Sequence, residues 1–396
     1  MKRFLFRYAV IFAAAFAVAG CGTLAPELPK IPFQPKEEEV PGPCCSVGGK
    51  PLKIDFAPNG QFMAILYAPE IFSETRQFHA ERAVSGRLAL FNTEFETPFP
   101  VDERLAESIE SPKSFAFWSD SLLIAAETGP DQANVFRVPH ANKKDGLKSL
   151  FSEPKPYRDF LLSPRGDWFG GCTQDGRWEI TDTKEPARTV VFPPSEKTPL
   201  PGMTVVRILD FSPDGELVAT LMVGADRTDS TVKTIAIWDL KVARSVPLSD
   251  VKEPPLQALF VASLNLKEKE PVPLGTFSPD GQRIAFRTKS RYVGIWQTAS
   301  GRLLSEFGEH RQRVASLAFS PSSNQLAVGL EESHGRIVLW DVRKGTILRS
   351  RENPVQNEDA VRTMAFEPDG RFIRYGNARG EIGEWNIREN IEKKKP

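Results

Sequence analysis

Four histidines are the first residues to ask for catalysis: His79, His140, His310 and His334. None stands in a His-x-His or His-Glu-x-x-His spacing, which would aim two imidazoles at one metal ion, and no Gly-rich phosphate loop is present. Ser and Asp are plentiful, yet no spacing joins them to a His as a triad. The expectation is therefore no enzyme, with no cofactor and no metal. Four cysteines complete the inventory: Cys21, Cys44, Cys45 and Cys172. Adjacent Cys44 and Cys45 lack metal-ligand spacing, and Cys172 reads as a small buried core residue. Cys21 has the most specific surroundings.

Upstream of Cys21, Lys2, Arg3 and Arg7 form a basic opening and Tyr8 to Ala19 an apolar run of twelve. That run is shorter than the roughly 20 residues a membrane-spanning helix needs, so residues 1–20 read as an export signal. Val18-Ala19-Gly20-Cys21 resembles the lipobox of bacterial lipoproteins. The resemblance implies cleavage before Cys21, diacylglycerol on its thiol and a fatty acyl group such as palmitate on its amine. Several acyl chains anchor firmly where one is marginal. The implied location is exported and held on a lipid bilayer by acylated Cys21. In a Gram-negative cell, Gly22 in place of Asp implies the outer membrane, facing the periplasm. Residues 21–50 then form a tether, with Pro26, Pro29, Pro32, Pro35, Pro41 and Pro43 around Lys36-Glu37-Glu38-Glu39.

Charge narrows the partners. Lys plus Arg equals Asp plus Glu, 51 against 51, and removing residues 1–20 leaves 48 against 51. No basic field favours nucleic acid. With 33 Pro, 28 Gly and 40% apolar residues, the chain is globular and rich in turns.

The elements that position everything else repeat. Phe56-Ala57-Pro58-Asn59-Gly60 recurs as Phe117-Trp118-Ser119-Asp120-Ser121, Leu162-Ser163-Pro164-Arg165-Gly166 and Phe211-Ser212-Pro213-Asp214-Gly215. Phe277-Ser278-Pro279-Asp280-Gly281, Phe319-Ser320-Pro321-Ser322-Ser323 and Phe366-Glu367-Pro368-Asp369-Gly370 complete the set. Pro presets the turn and Asp-Gly closes it, joining two strands. Each turn is followed by a strand marked by a pair: Phe91-Asn92, Phe136-Arg137, Thr181-Asp182, Trp238-Asp239, Trp296-Gln297, Trp340-Asp341 and Trp385-Asn386. The distance between markers is 19 in four copies: 117 to 136, 162 to 181, 277 to 296 and 366 to 385.

Ser-Pro-Asp-Gly hairpins leading to Trp-Asp strands resemble the WD-repeat family. The resemblance implies an all-β fold over residues 51–390. This is a seven-bladed β-propeller of four-stranded antiparallel blades, with six or eight blades as alternatives. Residues 391–396 form a basic tail. Residues of about 38–48 would supply the outer strand of the last blade, where Pro41 and Pro43 fit only an edge. Gly308-Glu309-His310 resembles the segment that opens a WD repeat. There His310 would join a structural network with Trp340, incomplete here because the following turn, Glu331 to Gly335, lacks Asp.

Departures from 19 mark insertions. One lies at about 68–85, with Ile71, Phe72, Phe78 and His79; another at 224–231, with Asp226, Arg227 and Asp229. A third, at about 250–271 after the outer strand of the fourth blade, contains Leu256 and Phe260. Loops joining second to third strands share a face with inter-blade connections, so all three form a candidate face for a protein partner. The expected function is an interaction scaffold in the cell envelope. Alternatives are a propeller hydrolase with its site at the channel mouth, or an assembly accessory: residues 277–286 resemble the propeller repeats of the periplasmic Tol-system protein.

Overall fold

The structure is a computed structural model. It describes residues 45–388 except 48, 70–86, 94–98, 101–111, 120–121, 129–132, 140–147, 150–156, 174–175, 186–187, 193–202, 226–230, 246–256, 265–273, 290, 309, 311, 332–335, 353–359 and 378. The lipobox Val18 to Cys21 lies outside the described residues, as do Ile71, Phe72, Phe78, His79, Asp226, Arg227, Asp229 and Leu256.

The described strands form seven four-stranded antiparallel sheets. Blade 1 holds β2 (Gly49–Phe56), β3 (Phe62–Pro69), β4 (Arg87–Asn92) and β5 (Phe99–Pro100). Blade 2 holds β6 (Pro112–Ser119), β7 (Leu122–Thr128), β8 (Ala133–Pro139) and β9 (Lys148–Ser149). Blade 3 holds β10 (Tyr157–Leu162), β11 (Trp168–Thr173), β12 (Trp178–Asp182) and β13 (Thr189–Phe192). Blade 4 holds β14 (Thr204–Phe211), β15 (Leu217–Ala225), β16 (Thr231–Asp239) and β17 (Gln257–Leu264), with helix α1 (Leu240–Ser245) between the last two. Blade 5 holds β18 (Gly275–Phe277), β19 (Arg283–Lys289), β20 (Tyr292–Gln297) and β21 (Leu303–Phe307). Blade 6 holds β22 (Arg313–Phe319), β23 (Gln325–Glu331), β24 (Arg336–Asp341) and β25 (Thr346–Glu352). Blade 7 holds β26 (Thr363–Phe366), β27 (Phe372–Gly376) and β28 (Glu381–Asn386), with β1 (Cys45–Ser46) as its outer strand.

The first strand of each blade touches that of the next, and β2 touches β26, so the inner strands close a ring around a central channel. The reason is burial on both faces. Strands such as β20, β23 and β24 are buried along nearly their whole length. One sheet covers only one face of its neighbour, so each core cluster spans two blades. Trp168 and Phe192 pack with Phe211 and Trp238 across blades 3 and 4. Ile295 and Phe307 pack with Val328 and Trp340 across blades 5 and 6. Stacked repeats of this kind draw their stability from nearest-neighbour interfaces.

The counted markers occupy one rung of each blade. Phe211 faces Val218, which faces Trp238. Phe277, Ile284 and Trp296 repeat the rung, as do Phe319, Leu326 and Trp340, and Phe366, Ile373 and Trp385. Blade 2 departs. There Phe117 faces Leu123 and Leu123 faces Val138, while Phe136 faces Ala125. The interval from 117 to 136 matched 19 by coincidence: the rung residue is Val138, 21 residues on, and Phe136 lies two residues before it.

The hairpins show why Ser-Pro-Asp-Gly recurs. Ser212 Oγ lies 2.5 Å from Asp214 Oδ1 and accepts the Leu217 amide at 2.8 Å. Gly215 takes a φ of +71°, a conformation cheap only for glycine. The Asp of the Trp-Asp pair caps the next turn: Asp341 Oδ1 accepts the amides of Arg343 and Lys344 at 2.9 Å each. Asp239 does the same for Lys241 in α1, at 2.8 Å.

The third insertion requires a correction. The outer strand of blade 4 is Gln257–Leu264, and Phe260 pairs with Ile237 inside it. Phe260 is thus a strand residue, not a loop residue. In blades 5 and 6 the outer strand starts within six residues of the third. Here α1 follows the third strand, on the face that carries the Ser-Pro-Asp-Gly hairpins. In blade 4 the second insertion lengthens strands: Ala225 pairs with Thr231.

Trp238 also explains a hydroxyl. It is fully buried, its ring meets Phe192 edge-on at 5.4 Å, and its Nε1 donates to Thr220 Oγ1 at 2.8 Å. Thr220→Val would leave that N–H buried without an acceptor, and we expect a loss of about 1–3 kcal/mol in urea unfolding.

Candidate binding site

Both faces of an inner strand are covered by neighbouring blades, so its exposed side chains reach solvent through the channel or its mouths. Inner strands run from the face bearing the second-to-third-strand loops, here called the insertion face, to the hairpin face. Five of them carry a register break at the same place, between Pro51 and Lys53, Pro112 and Ser114, Tyr157 and Asp159, Val205 and Arg207, and Val314 and Ser316. A bulge leaves one residue unpaired and re-aims side chains. The bulge residues are Leu52, Lys113, Arg158, Val206 and Ala315. Two are apolar and exposed, Leu52 by 54% and Val206 by 46%.

Cations gather at the same end of the ring. Lys50, Arg207, Arg313 and Arg362 are all exposed. Glu331 sits between the last two, 2.9 Å from Arg313 and 3.7 Å from Arg362. Lys50 and Arg207 form no ion pair among the described residues. The insertion-face mouth therefore combines excess positive charge with apolar surface.

Deeper in the channel the charge changes sign. Lys53 Nζ donates to the Phe115 carbonyl of blade 2 at 2.8 Å and lies 3.6 Å from Asp55 Oδ2. Asp210 occupies in blade 4 the place of Asp55 in blade 1, one residue before the marker Phe. Its carboxylate accepts the amides of Phe211 at 2.9 Å and of Phe277, in blade 5, at 3.0 Å. Burial pushes the Asp210 carboxyl up to about 6, against the pull of those amides and of Lys53. Sequence reasoning missed Lys53, Asp55, Asp210, Arg207, Arg313 and Arg362. The signal was present: these are charges on strands otherwise apolar on both faces.

A second cavity, of about 250 Å³, lies on the hairpin face beside α1, lined by Trp168, Gly215, Glu216, Leu240, Lys241, Arg244 and Ser245. Its cations are engaged. Arg244 Nε donates to Asp182 at 2.9 Å and its guanidinium lies 4.4 Å over the Trp168 ring, while Lys241 pairs with Glu216 at 2.5 Å. The Arg244 contacts hold α1 on blade 3, and the Lys241 pair ties it to the hairpin of blade 4.

His310 is buried, edge-on to Trp340 with ring centres 5.6 Å apart. Neither His310 Nε2 nor Trp340 Nε1 has a hydrogen-bond partner among the described residues. Val328 stands where blade 4 has Thr220, so the hydroxyl that would satisfy the indole is missing. Val328→Thr is expected to raise stability by about 1 kcal/mol, read as a shift in the unfolding midpoint. Cys172 is buried in β11, its Sγ 3.7 Å from the Thr173 carbonyl.

Comparison with known proteins bears on the repeat. Residues 301–341 match the family "WD domain, G-beta repeat". The β-propeller domain of Cps50 (Swd1) from Myceliophteria thermophila superposes with a TM-score of 0.58 at 14% identity, covering 87% of this chain and 99% of that one. The chain folds as a β-propeller, and its residues 301–341 are similar to a WD repeat. The Periodic tryptophan protein 2 homolog of Dictyostelium discoideum is 33% identical over 113 residues, 28% of this chain and 12% of that protein. WD repeat-containing protein 55 of Bos taurus is 28% identical over 113 residues, 28% of each chain. The propeller's match thus spans about an eighth of the first relative's length and little more than a quarter of the second's. These relatives come from eukaryotes, as does the homolog from Schizosaccharomyces pombe. They overturn the expectation of an exported, lipid-anchored location facing a periplasm. That expectation had rested on residues 1–22 alone.

Proposed function

We propose that this protein is a non-enzymatic interaction scaffold that holds a protein partner over the insertion-face mouth of its channel. The observation that carries this reading is the mouth itself, where exposed Leu52 and Val206 stand among exposed cations on a closed ring. Apolar anchors on a rigid frame bind without paying the ordering cost of a flexible surface. Relatives named for WD repeats support the reading. The test is photocrosslinking from benzoylphenylalanine placed at Leu52 or Val206, with Leu303 on the blade 5 rim as reference. A protein adduct from the mouth positions and none from Leu303 is expected. Adducts from Leu303 alone would refute it.

We propose separately that Cys21 is lipid-modified, with diacylglycerol on its thiol and a fatty acyl group on its amine. The order of basic opening, apolar run, small residues and Cys supports this, and no location follows from it. Labelled fatty acid should enter the parent and not Cys21→Ser; equal labelling of both would remove the proposal.

A further inference from the structure

The charge pattern along the channel narrows the partner's chemistry, an inference that rests on the scaffold reading. At the insertion-face end of the ring Lys50, Arg207, Arg313 and Arg362 are exposed, and Glu331, at the end of β23, pairs with the last two. Arg313 and Arg362 share that single carboxylate, so each keeps donors for another acceptor. Arg guanidinium groups present a planar fork that fits carboxylates two bonds at a time. Leu52 and Val206, brought to the surface by bulges at equivalent positions, interrupt the basic ring with apolar surface. Below them Asp55 and Asp210 line the channel. Lys53 is paired with Asp55 there, so an anionic side chain entering further would meet two carboxylates against one cation, and the ligand stays across the mouth.

We propose that this mouth binds an acidic segment of a protein partner, one that interleaves Asp or Glu with large apolar side chains. The carboxylates pair with Arg207, Arg313 and Arg362, and an apolar side chain covers Leu52 and Val206. A purely polyanionic ligand would leave those two side chains in water. The apolar surface therefore favours an acidic peptide over a nucleic acid.

The probe is a fluorescein-labelled peptide of alternating Glu and Leu, read by anisotropy against the full chain. A Lys/Leu peptide and a single-stranded oligo-dT serve as comparisons. Binding of the Glu/Leu peptide is expected to weaken about tenfold for each charge reversed, in Arg207→Glu and in Arg313→Glu with Arg362→Glu. Arg207 has no ion pair to break, so its variant keeps the test valid if the double variant fails to fold. Leu52→Ser with Val206→Ser should weaken the Glu/Leu peptide and leave oligo-dT unchanged. Unchanged peptide affinity in Arg207→Glu would overturn the proposal. So would oligo-dT binding as tightly as the peptide, which would make the mouth a general polyanion site. If crosslinked partner persists at Leu52 in Arg207→Glu while the peptide shows no preference, the acidic assignment falls and the scaffold reading stands. If no adduct forms at the mouth in the parent, the scaffold reading falls with it.

Discussion

Replacing Arg374 by Met is expected to destabilise the propeller by about 3–5 kcal/mol, the usual cost of leaving buried charge without its partner. Arg374, in β27, is only 7% exposed in its side chain. Its Nε and Nη2 each lie 2.8 Å from Glu367 Oε1, and Nη1 faces Glu384 Oε2. Burial pushes the Glu367 carboxyl up and the Arg374 guanidinium pulls it back down. Without Arg374, two partly buried carboxylates, Glu367 just after β26 and Glu384 on β28, are left unpaired on either side of β27. Protonation then becomes the relief, so the deficit should narrow as pH falls. Adding Glu367→Gln and Glu384→Gln to Arg374→Met should recover most of the loss, because the penalty comes from unpaired charge. Urea unfolding at two pH values measures both effects. A loss that the added substitutions do not recover would show that Arg374 matters for packing and not for charge.

The second large effect is a pH dependence at His310. Burial holds this imidazole down to about 4, against an ordinary 6.5. Between those values the unfolded chain binds a proton that the folded chain refuses. Stability therefore rises with pH across this window and is lost as pH falls through it. The full window corresponds to about 3 kcal/mol at 1.36 kcal/mol per pKa unit. Asp210 works in the opposite sense: its carboxyl, raised from 3.8 to about 6, favours the folded state in acid, and that advantage is lost as pH rises from about 4 through 6. The two partly cancel in the parent, so the comparison must be made by difference. His310→Phe should lose about 3 kcal/mol less than the parent between pH 7 and pH 4. Parallel stability curves for the two proteins would show that His310 is not the group that titrates.

Turn chemistry made the blades legible. Ser-Pro-Asp-Gly places a φ only glycine takes cheaply beside a Ser and an Asp that bond to each other, and no other local structure uses that combination as well. Trp238, Trp296, Trp340 and Trp385 lie on the marker rung, each buried in a cluster shared by two blades. Spacing without chemistry misled at Phe136, which lies two residues from the position equivalent to Trp238. It misled again at Phe260, where an outer strand delayed by α1 looked like an inserted loop. The mouth was illegible for a different reason. Leu52 and Val206 are exposed only because bulges re-aim them, and a bulge depends on pairing with a distant strand. Arg207, Arg313 and Arg362 are scattered over 156 positions in sequence, from 207 to 362. Only ring closure brings them to one opening, and that closure depends on β1 pairing with β28 through Cys45 and Ile382.

Hydrogen exchange of the chain with its crosslinked partner tests the central claim most directly. If the insertion-face mouth is the binding face, amides at the starts of β2, β14, β22 and β26 should slow on binding. The hairpins at Gly60, Gly215, Gly281 and Gly370 should exchange as they do in the unbound chain. Protection confined to those hairpins or to the outer strands β21 and β25, with the inner-strand starts unchanged, would contradict the account.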